Sequence, residues 1–295
     1  MPMIVNPQAP QVTPPARVTS PDQWLAAIVD KAWAGVVLSV NYTAGAPLAN
    51  AVNVRKVRLT RTNPSGELVQ VRSGDPAWAI EGVGAGYDHE APLGVPVIYT
   101  ATPIYADGST GPSSSLSVTV PAPQQGENRD LWIKSIDNPG LSLRCMIIGR
   151  PAPSSAGRQD TTDIAGSPYP ALAYDTHGAE VYQVTVDVPP ERVDQLRALL
   201  RSGLLLSQVR PGYLWPDAFF VPGDITGPTP TGHLGTSSGY QFSFTIQPLE
   251  RPATTDQPLR IPGWSWDELA RRFGTWDAVA ASYSSWASLS TNGIT

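Results

Sequence analysis

The sequence predicts a mainly β protein, with two antiparallel β domains in tandem followed by an extension of short helices. Three observations carry that expectation. Charged residues are only 15% of the chain, and 26 glycines with 31 prolines break it too often for long helices. Apolar and polar residues alternate in several short runs, the period of a half-buried strand. Near the C-terminus, tryptophan recurs every tenth residue behind a residue suited to cap a helix. With 295 residues the chain is long enough to bury two cores.

The largest domain is expected to form around Val181 to Val209. Tyr182, Val184, Val186 and Val188 fall on one face of a strand, and Gln183, Thr185 and Asp187 on the other. Pro189-Pro190 ends that strand and suits the first turn of a helix. Val193, Leu196, Leu199 and Leu200 follow at helical spacing, with Gly203 as the expected C-terminal stop. Leu204 to Val209 then returns as a second strand.

Residues 1–32 read as a proline-rich extended arm and a short helix. Ser20-Pro-Asp-Gln-Trp24 has the chemistry of a helix start, and the helix is expected to reach about Lys31, with Trp24 and Ile28 on its buried side. Over 33–121 the pattern is all β. Val36–Val40, Val54–Thr60, Leu68–Val71, Ala77–Ile80, Val97–Ile104 and Leu116–Val120 are strand candidates. Asn63-Pro-Ser-Gly66, Ser73-Gly-Asp-Pro76 and Ala106-Asp-Gly108 give turns between them. Asp88-His-Glu-Ala-Pro-Leu-Gly-Val-Pro-Val-Ile-Tyr99, with Ala106-Asp-Gly108 and the closing valine-rich strand, resembles the end of fibronectin type III-like modules. That resemblance implies a β-sandwich.

Residues 122–130 read as a linker, and 131–250 as the antiparallel β domain carrying one helix. Trp132-Ile133, Leu141–Ile148, the aromatic stretch Pro211–Val221 and Tyr240–Gln247 are its further strands. A polar loop over Pro151–Asp160 and a Gly/Pro-rich loop reaching Gly239 separate them. Residues 251–263 read as a second proline-rich linker.

The extension, 264–295, contains Ser265-Trp-Asp-Glu-Leu269, Thr275-Trp-Asp-Ala-Val279 and Ser285-Trp-Ala-Ser-Leu289. Ten residues at about 100° each leave the tryptophans about 80° out of phase, so separate helical turns are expected rather than one helix. Four of the nine tryptophans lie here, too many for so short a segment to bury alone. Tryptophan concentrates binding energy at protein interfaces. Trp264, Trp266, Leu269, Trp276, Val279, Tyr283, Trp286 and Leu289 are therefore the interface candidates.

No catalytic constellation is expected, and no cofactor or metal. Gly82-Val-Gly-Ala-Gly86 lacks the dinucleotide fingerprint and the following helix, and reads as a plain turn. His89, His177 and His233 show no ligand spacing. Asp88 and Glu90 around His89 could begin a two-carboxylate hydrolase site, but solvation of a sandwich loop is the favoured reading. Asp160 and Asp163 in a polar loop make only a weak case for calcium. No Gly-x-Ser-x-Gly elbow occurs, and Cys145, the only cysteine, reads as an inert thiol inside a strand. A net charge of -5 without a basic cluster argues against nucleic acid. No apolar run approaches the roughly 20 residues needed to span a bilayer, so no membrane insertion is expected. The N-terminus has no signal-peptide pattern.

Taken together, the chain resembles minor tail proteins, of distal-tail type, from long-tailed bacteriophages of actinobacteria. The Val181–Val209 unit, its Trp215-Pro-Asp-Ala-Phe-Phe-Val continuation, the Tyr240–Gln247 strand and the Trp-Asp-x-Leu/Val units carry the resemblance. The position of the fibronectin-like module, ahead of this domain, departs from a simple distal-tail layout. The resemblance implies a structural, non-enzymatic virion protein, assembled in the host cytoplasm. It would form a homo-oligomeric ring, six-fold or alternatively three-fold, joining the tail tube to hub and receptor-binding proteins. Stacking of the tryptophans on host cell-wall glycan is the alternative expectation.

Overall fold

The computed structural model describes residues 17–123, 130–148, 152–213, 216–232, 239–253 and 258–293. Most of the expected N-terminal arm and first linker, Trp215, His233 and part of the second linker lie outside the described residues.

The first domain contains β1 (Arg17–Thr19), β2 (Leu25–Asp30), β3 (Gly35–Asn41), β4 (Val54–Thr62), β5 (Leu68–Gln70), β6 (Ala77–Ile80), β7 (Val83–Asp88), β8 (Pro96–Tyr105) and β9 (Ser114–Thr119). They pair antiparallel in the order β1-β2-β3-β7-β6-β4-β8-β9, with β5 added to β4. The short β6 links two layers, β1-β2-β3-β7 and β5-β4-β8-β9, whose inner faces share one core. Leu25, Val36, Leu38 and Val40 from the first layer meet Val57, Leu59, Val97 and Tyr99 from the second. Alternation along β4 and β8 puts every second residue inside, as the sequence predicts.

Two expectations fail here. The helix over 20–31 is instead a tight turn followed by β2. The Gln23 N–H donates to Ser20 O at 3.0 Å, and Ser20 Oγ and the Trp24 N–H both bond Asp22 Oδ1. Pro21 suits such a turn as well as it suits a helix start. Gln23 then takes a left-handed φ of 66°, which no helix tolerates. Ala26 to Asp30 continues as a strand paired to both β1 and β3. The residues that cap helices also close turns, and the β-branched Ile28 and Val29 settle the choice.

The glycine stretch is likewise strand rather than turn. Only Glu81 and Gly82, both at positive φ, form the hairpin between β6 and β7. Gly86 lies inside β7, where an added Cβ would sit 2.4 Å from Leu59 Cδ1. That glycine is needed for core packing, and its strand is paired with β3.

The second domain contains β10 (Asp130–Ser135), β11 (Leu143–Ile147), β12 (Pro153–Ser154), β13 (Gln159–Thr162), β14 (Ala171–Tyr174), β15 (Val181–Val188), helix α1 (Val193–Leu200), β16 (Leu205–Gln208), β17 (Ala218–Phe220), β18 (Thr226–Thr231) and β19 (Gly239–Ile246). The sheet order is β17-β16-β10-β11-β15-β19-β18, with β12 on β15. Leu196, Leu199 and Leu200 of α1 pack on Ile133, Cys145, Val186 and Phe242 of the sheet. The strand–helix–strand expectation holds, with one addition: β10 and β11 lie between β15 and β16, so α1 carries the chain across two strands. Gly203, at φ 99°, follows the helix end.

The loop expected up to Gly239 includes β18, despite Pro228 and Pro230. It is an edge strand, where missing donors are tolerated. The expected polar loop over 151–160 is also partly strand. It leads into a two-stranded hairpin, β13-β14, separate from the main sheets. Ile164, Tyr169, Leu172 and Tyr174 are exposed on this hairpin.

Candidate interaction site

The C-terminal segment forms three helices, α2 (Trp266–Arg272), α3 (Trp276–Ser282) and α4 (Trp286–Ser290). Each starts the same way. Ser265, Thr275 and Ser285 are extended, and their hydroxyls accept from the N–H three residues on, at 3.3, 3.3 and 3.0 Å. Phe273 and Tyr283 end α2 and α3 in extended conformation, so the chain resets before the next cap. This reset makes a ten-residue period compatible with short helices.

The repeat sorts the eight interface candidates into two sets. Leu269, Val279 and Leu289 are buried together, one per helix, with Trp264, Phe273 and Tyr283 packed around them. The Trp264 indole N–H donates to Leu289 O at 2.7 Å, and its ring lies 6.0 Å from that of Tyr283. The Tyr283 hydroxyl donates to Asn292 Oδ1 at 3.0 Å. These five candidates hold the segment together. Trp266, Trp276 and Trp286 occupy the first position of each helix and are 67, 62 and 59% exposed. The rings of Trp266 and Trp276 meet edge to face at 6.3 Å.

The segment is seated on the first domain. Ile261 is buried against Val37 of β3 and Tyr87 of β7, with Leu259 and Trp264 beside it. Arg260 donates to Asp137 O in the second domain. The described parts of the second linker therefore run along the protein. Arg251 donates to Glu90 and to Gln70 O, and Pro252 O accepts from Arg72.

Asp88-His89-Glu90 departs from both of its expected readings. These residues are 3, 6 and 6% exposed and form the junction between the two β domains. Asp88 accepts from Arg61 at 2.6 Å, from the Tyr99 hydroxyl at 2.9 Å and from the Glu90 N–H at 2.9 Å. Burial raises its pKa, but the Arg61 charge and these bonds outweigh that and hold it below the usual range. Glu90 is paired with Arg72 and Arg251. From the second domain, the fully buried Lys134 ammonium donates to Ala34 O and His89 O, both at 2.7 Å. Gln208 donates to Ala91 O at 3.0 Å, and Trp132 joins the core of the first domain. Burial lowers the Lys134 pKa to about 7 and that of His89 to about 4.

Both carboxylates are thus buried and bonded, Asp88 to Arg61, the Tyr99 hydroxyl and the Glu90 N–H, and Glu90 to Arg72 and Arg251. Sequence reading missed Lys134, Arg61, Arg72 and Gln208. One signal existed: a lone lysine in the apolar run Leu131-Trp-Ile-Lys-Ser135.

Asp160 lies in β13 and Asp163 just beyond it. Among the described residues, no group of three or more His, Cys, Asp or Glu side chains is placed to hold a metal. Cys145 is buried in β11, and burial raises its pKa far above the usual thiol range. No helix of the described residues is long and apolar enough to cross a membrane. No protein-family model matches the chain, and no curated protein matches it in sequence.

Proposed function

We propose that this chain is a structural, non-enzymatic subunit of a bacteriophage tail tip, as its resemblance to minor tail proteins implies. It would assemble in the host cytoplasm as a homo-oligomeric ring, six-fold or alternatively three-fold, connecting the tail tube to hub and receptor-binding proteins. The observation that carries this reading is that the tryptophan at the first position of each of three helices is mostly exposed, on a segment whose other large apolar side chains are buried or half-buried. A repeated, exposed aromatic surface suits subunit contacts, and a closed ring requires contacts between unlike faces. The exposed aromatic hairpin β13-β14 supplies a second such surface. The buried hydrogen bonds of Lys134 and Gln208 across the two β domains suit a connector.

Light scattering after size exclusion tests the reading on the full chain and on the triple variant Trp266→Ser/Trp276→Ser/Trp286→Ser. A closed oligomer that dissociates in the variant is expected. A wild-type monomer at every concentration would remove self-assembly from the proposal. Attachment to host envelope glycan is a second reading, favoured by a cleft beside two of the tryptophans.

A further inference from the structure

A cleft of about 750 Å³ opens between the turn Asn138–Gly140 of the second domain and the C-terminal helices. Leu259, Ile261, Pro262 and Trp264 give it apolar walls, and Trp266 and Trp286 line it while remaining mostly exposed. Trp276 does not line it. Four charged residues do: Arg260, Arg271, Asp267 and Glu268. Their formal charges cancel. Glu268 is held by Arg271 at 2.7 and 2.9 Å and by Arg272 at 2.6 Å, while Arg260 donates to Asp137 O. Asn138 accepts from the Gly140 N–H through Oδ1, which leaves its NH₂ group as a donor.

We propose that this cleft binds a short neutral glycan, with pyranose faces on Trp266 and Trp286 and hydroxyl groups bonded by Asn138 and Asp267. The volume lies within the roughly 300–1,000 Å³ of small-ligand sites, and the cleft is concave as such sites are. A pyranose matches both parts of the lining. Its C–H face is drawn to the negative face of an indole, and its hydroxyl edge needs donors and acceptors such as an amide and a carboxylate. The balanced charges select against anionic and cationic ligands. A wholly apolar ligand would strip water from Asp267 without replacing its hydrogen bonds. This inference gives the glycan reading a site, and it rests on that reading.

The test titrates the full-length protein with neutral trisaccharides (maltotriose, cellotriose and chitotriose) and with a trimer of galacturonic acid, following heat and tryptophan fluorescence. Saturable binding of at least one neutral sugar is expected. It should weaken about tenfold in Trp266→Ala and in Trp286→Ala, the scale of one lost aromatic contact, and clearly less in Trp276→Ala, whose ring touches Trp266 but lies outside the cleft. Circular dichroism and melting of each variant establish that the helices remain folded, and Trp266→Phe should recover part of the affinity. No saturation by any neutral sugar up to about 10 mM, a limit that excludes even weak sites, would overturn the proposal. So would equal loss in all three alanine variants, or equal binding of the acidic trimer. Sedimentation with purified cell walls separates the two levels. Wall binding that survives Trp266→Ala and Trp286→Ala removes this cleft but keeps the glycan reading, whereas no wall binding removes both.

Discussion

The junction between the β domains and the seat of the C-terminal helices are both places where separate parts of the chain meet, yet they are built from opposite materials. At the junction, charged groups from both domains are buried and mutually partnered: Asp88 with Arg61, Glu90 with Arg72 and Arg251, Lys134 with two carbonyls. At the C-terminal segment, one apolar residue per helix goes inside and one tryptophan per helix stays out. A buried ion pair adds little net stability over a well-packed apolar pair, but it penalises any arrangement that leaves one partner alone. The junction is therefore specific and closed. The helical segment is held mainly by apolar contacts. The first fixes one geometry within the chain, and the second leaves three tryptophans exposed.

The largest effect should come from breaking the junction. Asp88→Ala leaves the buried Arg61 guanidinium without its carboxylate and removes the acceptor of the Tyr99 hydroxyl. A loss of about 3–5 kcal/mol is expected in urea unfolding. A loss below about 1 kcal/mol, the range of exposed pairs, would mean that the network is solvated and the contrast with the helical segment disappears.

Acid should act on the same junction in a defined window. The folded-state pKa of His89 is depressed from 6.5 to about 4, so its neutral form is favoured in the folded protein. Its stabilising contribution is fully present above about pH 6.5 and is lost as pH falls through 4, about 3 kcal/mol in all. Asp88, also depressed, adds loss of the same sign at lower pH. Asp30 and Asp217 are raised by burial and act in the opposite sense. Lys134 works in a separate window: its depressed pKa makes stability rise between about pH 7 and the ordinary lysine range. Unfolding free energy measured from pH 7 to 4 should fall, and His89→Gln should flatten the upper part of that fall.

Leu269→Ala should cost less and should act locally. It removes a buried side chain from a cluster of three, about 2–3 kcal/mol at such sites. Hydrogen exchange should rise over 264–293, while the amides of β10 and β15 stay protected. If exchange rises equally in both β domains, the helical segment is part of the same cooperative unit, and the two regions differ less than their chemistry suggests.

These regions also differ in how far they could be read from sequence. The helical units were legible because their information is local: a cap, a tryptophan and an apolar residue within five positions. Strands such as β4, β8, β15 and β19 were legible for the same reason, since period two shows within a short window. By contrast β2, which follows a cap-like turn, and β7 and β18, which contain glycine or proline, were not. The junction was not. Its partners lie tens of residues apart in sequence, as with Lys134 and Ala34, and no periodicity links a buried lysine to a distant carbonyl. Asp88-His89-Glu90 has the composition of a solvated loop, and only pairing with Arg61, Arg72 and Lys134 makes its burial affordable. Ser20-Pro21-Asp22 misled for another reason. Turn and helix start use the same hydrogen bonds over the first four residues, and only Gln23 at positive φ separates them.

The smallest expected effect on folding is the one that most sharpens the comparison. Trp276 leads α3, is 62% exposed and touches Trp266 edge to face, but lies outside both the Leu269-Val279-Leu289 cluster and the cleft. Trp276→Ala removes little buried area, and Thr275 still caps the helix through its own hydroxyl. The folding free energy of the dissociated chain should change by no more than about 0.5 kcal/mol, as for other surface substitutions. Subunit association, measured by light scattering across a dilution series, should weaken at least about tenfold, because a tryptophan buried at an interface typically contributes about 2 kcal/mol or more. Trp266→Ala should weaken association in the same way and sugar binding about tenfold as well, since it lines the cleft. Unchanged association in Trp276→Ala would confine the function of the tryptophans to the cleft. Equal losses of association and monomer melting temperature would place Trp276 with the inner cluster and make this surface a part of the fold.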